Sequence, residues 1–227
     1  MKRLIILLLA GCLCYPVLSQ TMQEKLHRHL TAGFDLYDDI WLNMPDSVDQ
    51  GAMNFGGDFY LLYTFPFSEK SPFSFALGAG ISIHKLYHNG LLETDTNGIT
   101  QFLNFNTEYP DLDYKKNVFD VDYLDFPLEL RFLNDKGVRF SAGIKIGVTL
   151  QSKTKYRGDD YLKESRDPLK VKFLKLPNVE NYRVAATARI GWKWIGVYGS
   201  YSLTKVFTPD DGPEIYPVSV GISIFPY

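Results

Sequence analysis

The sequence contains only two cysteines, Cys12 and Cys14, and both lie near its amino terminus. The remainder of the chain therefore has no thiol that could form a disulfide, bind a metal through sulfur or act as a nucleophile. A basic surplus is also lacking, because 24 Lys and Arg stand against 26 Asp and Glu. Nucleic-acid-binding proteins usually carry such a surplus, so we expect no nucleic-acid partner.

Long apolar runs are missing after residue 20, where no window reaches the roughly 18 apolar residues that a membrane-spanning helix requires. A chain in lipid must satisfy its backbone polar groups internally, so a membrane-embedded form of this chain would have to be a closed β-barrel. The sequence also lacks a Walker loop, a dinucleotide fingerprint and an HExxH motif. We accordingly expect neither a cofactor nor a metal ion.

The amino-terminal segment has the composition of a secretory signal peptide. A positively charged start is followed by a short apolar stretch, and Val17 and Ser19 occupy the two positions that signal peptidase reads. We predict a signal peptide over residues 1–19 and one domain over 20–227. The residues that precede Cys12 also resemble a lipobox, which would instead make Cys12 a lipidated amino terminus.

Alternation with a period of two is the dominant pattern in the rest of the chain. Between residues 73 and 84, for example, Phe, Leu, Ala and Ile alternate with Ser, Ala, Gly and His. Throughout, one face is rich in Leu, Ile, Val and Phe, and the other in Gly, Ser, Thr and charged residues. Segments of this kind occupy residues 30–37, 57–65, 73–84, 123–132, 138–150, 183–193, 197–204 and 218–224.

Short and long connections alternate between these eight segments. The short links are 66–72, 133–137 and 194–196, and the long links are 42–55, 87–117, 152–181 and 207–215. Outer-membrane barrels have this asymmetry because their periplasmic turns are tight and their surface loops are long. We predict an eight-stranded antiparallel up-and-down transmembrane β-barrel in the bacterial outer membrane. A soluble barrel or sandwich would show the same alternation and is the rival interpretation.

Aromatic residues lie near both ends of the predicted strands, as the two aromatic belts of a barrel would require. The first belt, beside the short turns, would contain Phe65, Phe67, Phe73, Phe132, Phe140, Trp192 and Trp194. The second belt, at the opposite ends, would contain Trp41, Tyr87, Tyr156, Tyr182, Phe207 and Tyr216.

The segment from Tyr123 to Phe132 reads YLDFPLELRF. It resembles the YLEIPLLLKY-type strand of outer-membrane β-barrel proteins from Bacteroidota, a family that includes PorT-like proteins linked to type IX secretion. The aromatic end at Phe225 and Tyr227 looks like the signal that the barrel insertion machinery reads, although Pro226 departs from the usual pattern. The resemblance implies an outer-membrane barrel, and it makes a secretion component one candidate role.

Charged side chains occupy many of the positions predicted to face inward. Eight strands enclose an interior that side chains fill, and a buried charge without a partner is costly. We therefore predict a salt-bridged lumen without an open pore. The predicted lumen charges are Asp35, Asp58, Asp125, Glu129, Arg131, Arg139, Lys145, Arg183, Arg189 and Lys193.

We expect any binding specificity to reside in the long links, since the barrel wall is scaffold. The link over 87–117 is partly acidic and that over 152–181 is basic, so the two could pack over the mouth as a lid. The expected role is a non-enzymatic envelope scaffold that contacts other components through its outer loops or periplasmic rim. The candidate contacts with lipopolysaccharide or a partner are Lys153, Lys155, Arg157, Lys170, Lys172 and Lys175. Secretion-system subunits are the alternative partners.

A lipid A-modifying enzyme is the second alternative. His84 and Ser82 would face inward near the outer rim, with His88 just beyond, and Asp120 and Asp122 of the next strand could come close. Histidine and serine are suited to general-base activation of a hydroxyl. No nucleophile motif frames Ser82, so we expect no catalytic site.

Overall fold

The computed structural model describes residues 29–225, and the predicted signal peptide, Pro226 and Tyr227 lie outside the described residues. The strands are β1 (Leu30–Leu42), β2 (Phe55–Pro66), β3 (Phe73–Tyr87), β4 (Gly90–Thr94), β5 (Thr100–Asn104), β6 (Tyr114–Leu133), β7 (Val138–Asp160), β8 (Ser165–Leu174), β9 (Tyr182–Trp192), β10 (Ile195–Ser202) and β11 (Tyr216–Ile224). A single helical turn, α1 (Phe105–Glu108), follows β5. No helix within 29–225 has the length and apolar character needed to cross a membrane.

Eight of these strands pair into a closed antiparallel ring. The order around the ring is β1, β2, β3, β6, β7, β9, β10 and β11, and β11 pairs back onto β1. Each ring strand is hydrogen bonded to the ring strands before and after it in the chain. The predicted all-β, antiparallel, up-and-down arrangement is confirmed, and a sheet closed on itself in this way is a barrel.

The apolar face of the ring points outward along every strand. Side chains on this face retain 40–60% of their accessible surface, although they are large and hydrophobic; examples are Leu36, Phe59, Leu77, Ile81, Leu130, Ile144, Ile190 and Ile222. Alternate positions on the same strands are buried and polar, as the burial pattern of β1 shows. An exposed apolar surface encircling a polar interior requires an apolar solvent, which the hydrocarbon of a bilayer provides.

The ring strands are joined at one end by short turns that the local sequence specifies. In the turn between β6 and β7, the Asn134 side chain accepts hydrogen bonds from the backbone N–H groups of Lys136 and Val138 at 3.1 and 2.8 Å. Gly137 completes this turn with a φ of 79°, a conformation that other residues adopt only with strain. The predicted tight turns therefore lie at one end of the barrel.

The two longest links, predicted to be loops, contain further strands. β4 and β5 form a hairpin within the first link, and β8 pairs with the upper half of β7 within the second. β6 and β7 remain paired from Tyr114 to Leu133, well beyond the apolar band. Alternation failed to reveal these strands because they have no lipid-facing apolar side. We call β8 and the paired upper parts of β6 and β7 the outer sheet.

A β-bulge separates the barrel part of β7 from the outer sheet. Tyr123 pairs with Thr149, whereas its neighbour Asp122 pairs with Gln151, so Leu150 is an extra residue. One inserted residue changes which side chains face outward. Below the bulge the even-numbered residues of β7 face outward, and above it the odd-numbered residues do. Lys153 therefore points away from the barrel axis.

We predict that lysine in place of Ile144 will destabilise the barrel by about 2–4 kcal/mol, because Ile144 lies near the middle of the apolar band. The measurement is urea-dependent unfolding in phospholipid vesicles. Ile99→Lys is the matched control, since Ile99 is exposed to a similar extent (41% against 40%) but lies in the β4–β5 turn. Equal effects of the two substitutions would contradict a lipid-facing Ile144.

Candidate functional site

The lower half of the lumen contains a charge cluster around Arg189. Its guanidinium donates to the Asp35 carboxylate at 2.6 Å and to Glu129. Glu129 also accepts a hydrogen bond from Arg131 at 3.0 Å. The Tyr60 ring lies 4.7 Å from the Arg189 guanidinium, so this cation is enclosed by two carboxylates and an aromatic face.

The upper half of the lumen contains a second cluster. Lys145 binds Asp58, which also accepts a hydrogen bond from Tyr37 at 2.7 Å. Arg183 forms a two-pronged pair with Asp125, with N–O distances of 2.6 and 3.2 Å. These pairings place opposite charges side chain to side chain, which compensates their burial.

Two of the predicted lumen charges occupy other settings. Arg139 is buried near the lower opening, where it donates to the Phe225 carbonyl at 3.1 Å and lies over the Phe225 ring. The assignment of Lys193 to the lumen is wrong. Lys193 lies in the exposed turn after β9, with a φ of 52° and its ammonium 4.5 Å from the Trp192 ring centre. The strand ends one residue earlier than the alternation suggested.

His84 takes part in the upper cluster through a residue that the sequence analysis did not select. Its Nδ1 lies 2.9 Å from the Asp39 carboxylate, and Arg183 contacts its Nε2. Because an arginine can only donate, Nε2 is the acceptor and Nδ1 donates to Asp39. Asp39 shares its strand face with Asp35, so alternation along β1 did contain the signal for it.

The residues of the suggested enzyme site are not assembled as expected. Asp120 and Asp122 face outward and pair with Lys155 and Lys153, at 2.7 and 2.8 Å, instead of approaching His84. Ser82 donates to Asp125, so it and His84 contact different carboxylates. Both Ser82 and His84 are 1% exposed. His84 is therefore not the hydrogen-bond partner of Ser82, and both side chains lie inside the closed ring.

An apolar plug fills the upper mouth of the ring, above the charge clusters. Phe119 and Phe207 stack with ring centres 5.5 Å apart, and Phe102 and Trp41 approach them edge-on. The plug consists of Trp41, Val48, Leu86, Phe102, Phe119, Val121, Tyr123, Val206, Phe207 and Ile215. The outer loops thus cover the mouth through apolar packing. Opposite-sign contacts between the loops were the expected cause, but aromatic packing is what the described residues show.

Above this plug, hydrogen bonds from the side chain of Asn178 connect separate loop segments. Asn178, in the segment after β8, donates to the Asp211 carbonyl at 3.0 Å and to the Thr100 hydroxyl at 3.0 Å. The Thr100 N–H also donates to the Asp211 carbonyl at 2.8 Å. Three separate connections therefore meet over the mouth of the barrel.

The upper aromatic belt differs from the prediction. Trp41, Tyr156 and Phe207 are buried, and they pack inside the ring or beneath the outer sheet. Tyr182 is exposed at the rim as expected. Trp41 follows the inward parity of β1, and the bulge in β7 turns Tyr156 inward. Six aromatic residues of the lower belt are exposed: Phe65, Phe67, Phe73, Phe140, Trp192 and Trp194.

The outward face of the outer sheet carries a basic groove of about 510 Å³. Arg157 pairs in register with Lys170, and Lys155 with Lys172, so their side chains share this face. Lys116 of β6 completes the basic lining. Within residues 29–225, no carboxylate lies within salt-bridge distance of Arg157, Lys170, Lys172 or Lys116. The groove therefore has a surplus of positive charge.

The other two predicted basic contacts lie at the edge of this groove. Lys153 is closer to the apolar band and is neutralised by Asp122. Lys175 follows β8 with a φ of 56° and is not part of the groove lining. Lys116 was not among the predicted contacts, because it was assigned to the other long link. Lys116 lies beside the groove residues because it pairs in register with Arg157 across β6 and β7.

A family model for the outer membrane protein beta-barrel domain matches residues 18–208. The chain belongs to this family. Its place is therefore the bacterial outer membrane, in agreement with the outward apolar band.

Two solved structures are similar to this chain, both of Ail, the attachment invasion locus protein of Yersinia pestis. One, in complex with the heparin analogue sucrose octasulfate, is 11% identical with a TM-score of 0.37. The other is 13% identical with a TM-score of 0.34. In each case the match covers 87% of this chain and 97% of the other. No curated protein matches the chain.

We predict that Arg189→Met will destabilise the barrel by about 3–5 kcal/mol, because Asp35 would remain buried without its cation. Adding Asp35→Asn should restore part of this loss, on the order of 1–2 kcal/mol, since the unpaired charge is then removed. Both variants are measured by urea unfolding in the same vesicles. Unchanged stability of Arg189→Met, or no recovery in the double variant, would contradict a charge-paired lumen.

His88 lies above the membrane band and is almost fully buried, which lowers its pKa to about 4. An unfolded His88 takes up a proton below about pH 6.5, whereas the folded ring stays neutral until about pH 4. Acidification from pH 7 to 5 should therefore lower the free energy of unfolding by about 2 kcal/mol through this residue. His88→Asn should lack that component. A His88 ring signal that titrates near pH 6.5 in NMR spectra of the folded protein would refute the prediction.

Proposed function

We propose that this protein is a non-enzymatic outer-membrane scaffold that holds phosphate-bearing headgroups of lipopolysaccharide against its outer sheet. The observation that carries the proposal is the basic groove, whose positive side chains lie on the outward face of the outer sheet, just beyond the apolar band. Lysine and arginine are the side chains that bind phosphate most effectively. Four of the five groove cations, Lys116, Arg157, Lys170 and Lys172, have no carboxylate within salt-bridge distance among the described residues, whereas Lys155 pairs with Asp120.

The height of the groove supports this assignment. Leu150 is the last apolar residue on the outward face of β7, and Lys153, Lys155 and Arg157 follow at two-residue intervals. Each interval advances about 7 Å along a strand. The positive charges therefore begin just above the last apolar residue of this face and extend about 14 Å further outward along the strand. Lipopolysaccharide presents its phosphates in this layer.

The rigidity of the groove also supports it. Its side chains project from paired strands rather than from free loops, and Lys116, Arg157 and Lys170 lie side by side across β6, β7 and β8. Prearranged cations lose little conformational freedom on binding an anion. The inward face of the same sheet is packed by Tyr156, Phe105 and Leu112, which holds the outward face in place.

The absence of catalysis is part of the proposal and draws support from the buried, carboxylate-paired state of Ser82 and His84. We expect lipopolysaccharide incubated with the purified protein to keep its mass. A mass change that disappears in His84→Ala would instead favour the lipid A-modifying alternative.

A PorT-like role in type IX secretion is the other candidate, and it rests on the resemblance of β6 over residues 123–132. That segment belongs to the barrel wall, with its apolar residues directed to lipid. Recovery of secretion-system subunits with the full-length protein from its native membrane would favour this role over a lipopolysaccharide scaffold.

We predict that combined Lys155→Glu, Lys170→Glu and Lys172→Glu substitutions will weaken lipopolysaccharide binding by at least about tenfold, since each cation near an anionic surface contributes about 1 kcal/mol. Binding is measured by calorimetry on detergent-solubilised protein at two salt concentrations. The wild-type affinity should fall as salt increases, and the variant should depend less on salt.

The matched control reverses Lys70, Lys136 and Lys193, which lie in the three short turns at the opposite end of the barrel. It makes the same change in net charge and should keep wild-type affinity. Wild-type affinity in the outer-sheet variant, or equal losses in both variants, would refute the proposal.

A further inference from the structure

A second groove, of about 410 Å³, lies on the other side of Lys116 from the basic groove. The β1–β2 loop, the end of β3, α1 and the start of β6 each contribute to its walls. In contrast to the basic groove, most of its polar groups are uncharged amides and hydroxyls. The lining side chains include Gln50, Tyr87, Asn89, Asn106, Tyr114 and Asn117.

Some of these groups hold the walls in position. The Asn89 side chain accepts from the Asp49 N–H at 2.8 Å and donates to the Asp49 carboxylate at 3.0 Å. Asn117 donates to the Gly90 carbonyl. Gln50 receives the Trp41 N–H at 3.0 Å. The frame of the groove is thus built from satisfied hydrogen bonds.

Other polar groups of the groove have no partner within residues 29–225. The side chains of Asn106 and Lys115 and the Tyr114 hydroxyl form no hydrogen bond there. The buried His88 ring supplies a further unpaired polar atom. Its Nδ1 accepts a hydrogen bond from the Gly90 N–H at 3.2 Å, but its Nε2 has no partner among the described residues. A neutral ring that accepts at Nδ1 carries its proton on Nε2, which is then an unused donor. Buried donors of this kind normally have a partner.

We propose that this amide-rich groove binds a saccharide, so that the two grooves together recognise a phosphorylated saccharide with Lys116 between its sugar and phosphate parts. Sugar hydroxyls both donate and accept hydrogen bonds, and the groove offers amides and hydroxyls that do the same. The inference rests on the proposed function, because the phosphate part is assigned to the basic groove.

The continuity of the two grooves favours one ligand over two. Lys116 lines both, and its ammonium lies 5.5 Å from the Tyr87 ring centre on the amide-rich side. Lys116 also pairs in register with Arg157, a lining residue of the basic groove. A ligand that occupied only the basic groove would leave the neighbouring amides and the His88 donor unused.

The test uses the full-length protein in detergent with two probes. One is the phosphorylated oligosaccharide obtained by complete deacylation of rough-type lipopolysaccharide, and the other is the same oligosaccharide after removal of its phosphates. The groove variant is Asn106→Leu with Tyr114→Phe, which removes the free amide and hydroxyl and keeps the ring packed on Phe105. Asn97→Leu with Tyr109→Phe makes the same chemical changes outside both grooves and is the matched control.

We expect the wild type to bind the dephosphorylated oligosaccharide, and the groove variant to bind it at least about fivefold more weakly, as the loss of one or two hydrogen bonds implies. The control and the Lys155, Lys170 and Lys172 charge-reversal variant should bind it like the wild type. The His88 Nε2–H signal in NMR spectra should shift when this probe is added.

No binding of the dephosphorylated probe, or equal binding by the wild type and the groove variant, would overturn the saccharide site. That result would leave the proposed function standing if the phosphorylated probe still required the basic groove. If instead the charge-reversal variant bound the phosphorylated probe like the wild type, the proposed function would fail, whatever the outcome in the amide-rich groove.

Discussion

Hydrogen bonding between β1 and β11 closes the sheet, and the other features of the molecule depend on that closure. In hydrocarbon, an open sheet edge would leave a row of backbone groups unsatisfied, each at a cost of several kcal/mol. Once the ring is closed, every strand has a lipid side and a lumen side. Charged residues such as Arg189 can then be retained at membrane depth, because they meet carboxylates across the lumen instead of lipid.

The polarity of the wall reverses where the chain leaves the membrane. Within the band, β3 directs Ile81 and Ile83 outward and Ser82 inward; beyond it, Lys85 faces outward and Leu86 inward. The other long strands show the same exchange. The surroundings explain it, since lipid favours an apolar exterior and water a polar one. The apolar plug is therefore the core of a small water-exposed domain that continues directly from the barrel.

The parts of this fold that could be predicted from sequence are those with one lipid-facing side. Alternation along residues 73–84 and 138–150 marked ring strands because lipid selects an apolar face at every second position. β8 escaped the prediction although Leu169 and Val171 alternate with Lys170 and Lys172, because its polar side faces outward, the reverse of the pattern in the ring strands. The partner of His84 was also missed. Alternation places Asp39 inward, but contact across the ring depends on stagger between strands that are distant in sequence.

The single extra residue at Leu150 has a consequence for how such a wall can vary. Because it shifts the phase of β7, the lysines above it face outward and Tyr156 faces the core. Loss of one amino acid at this point would leave every barrel contact below it intact while exchanging the two sides of the strand above. This one extra residue thus determines which side chains of the upper part of β7 face outward and which face the core. A change of chain length there is therefore far more disruptive than a substitution.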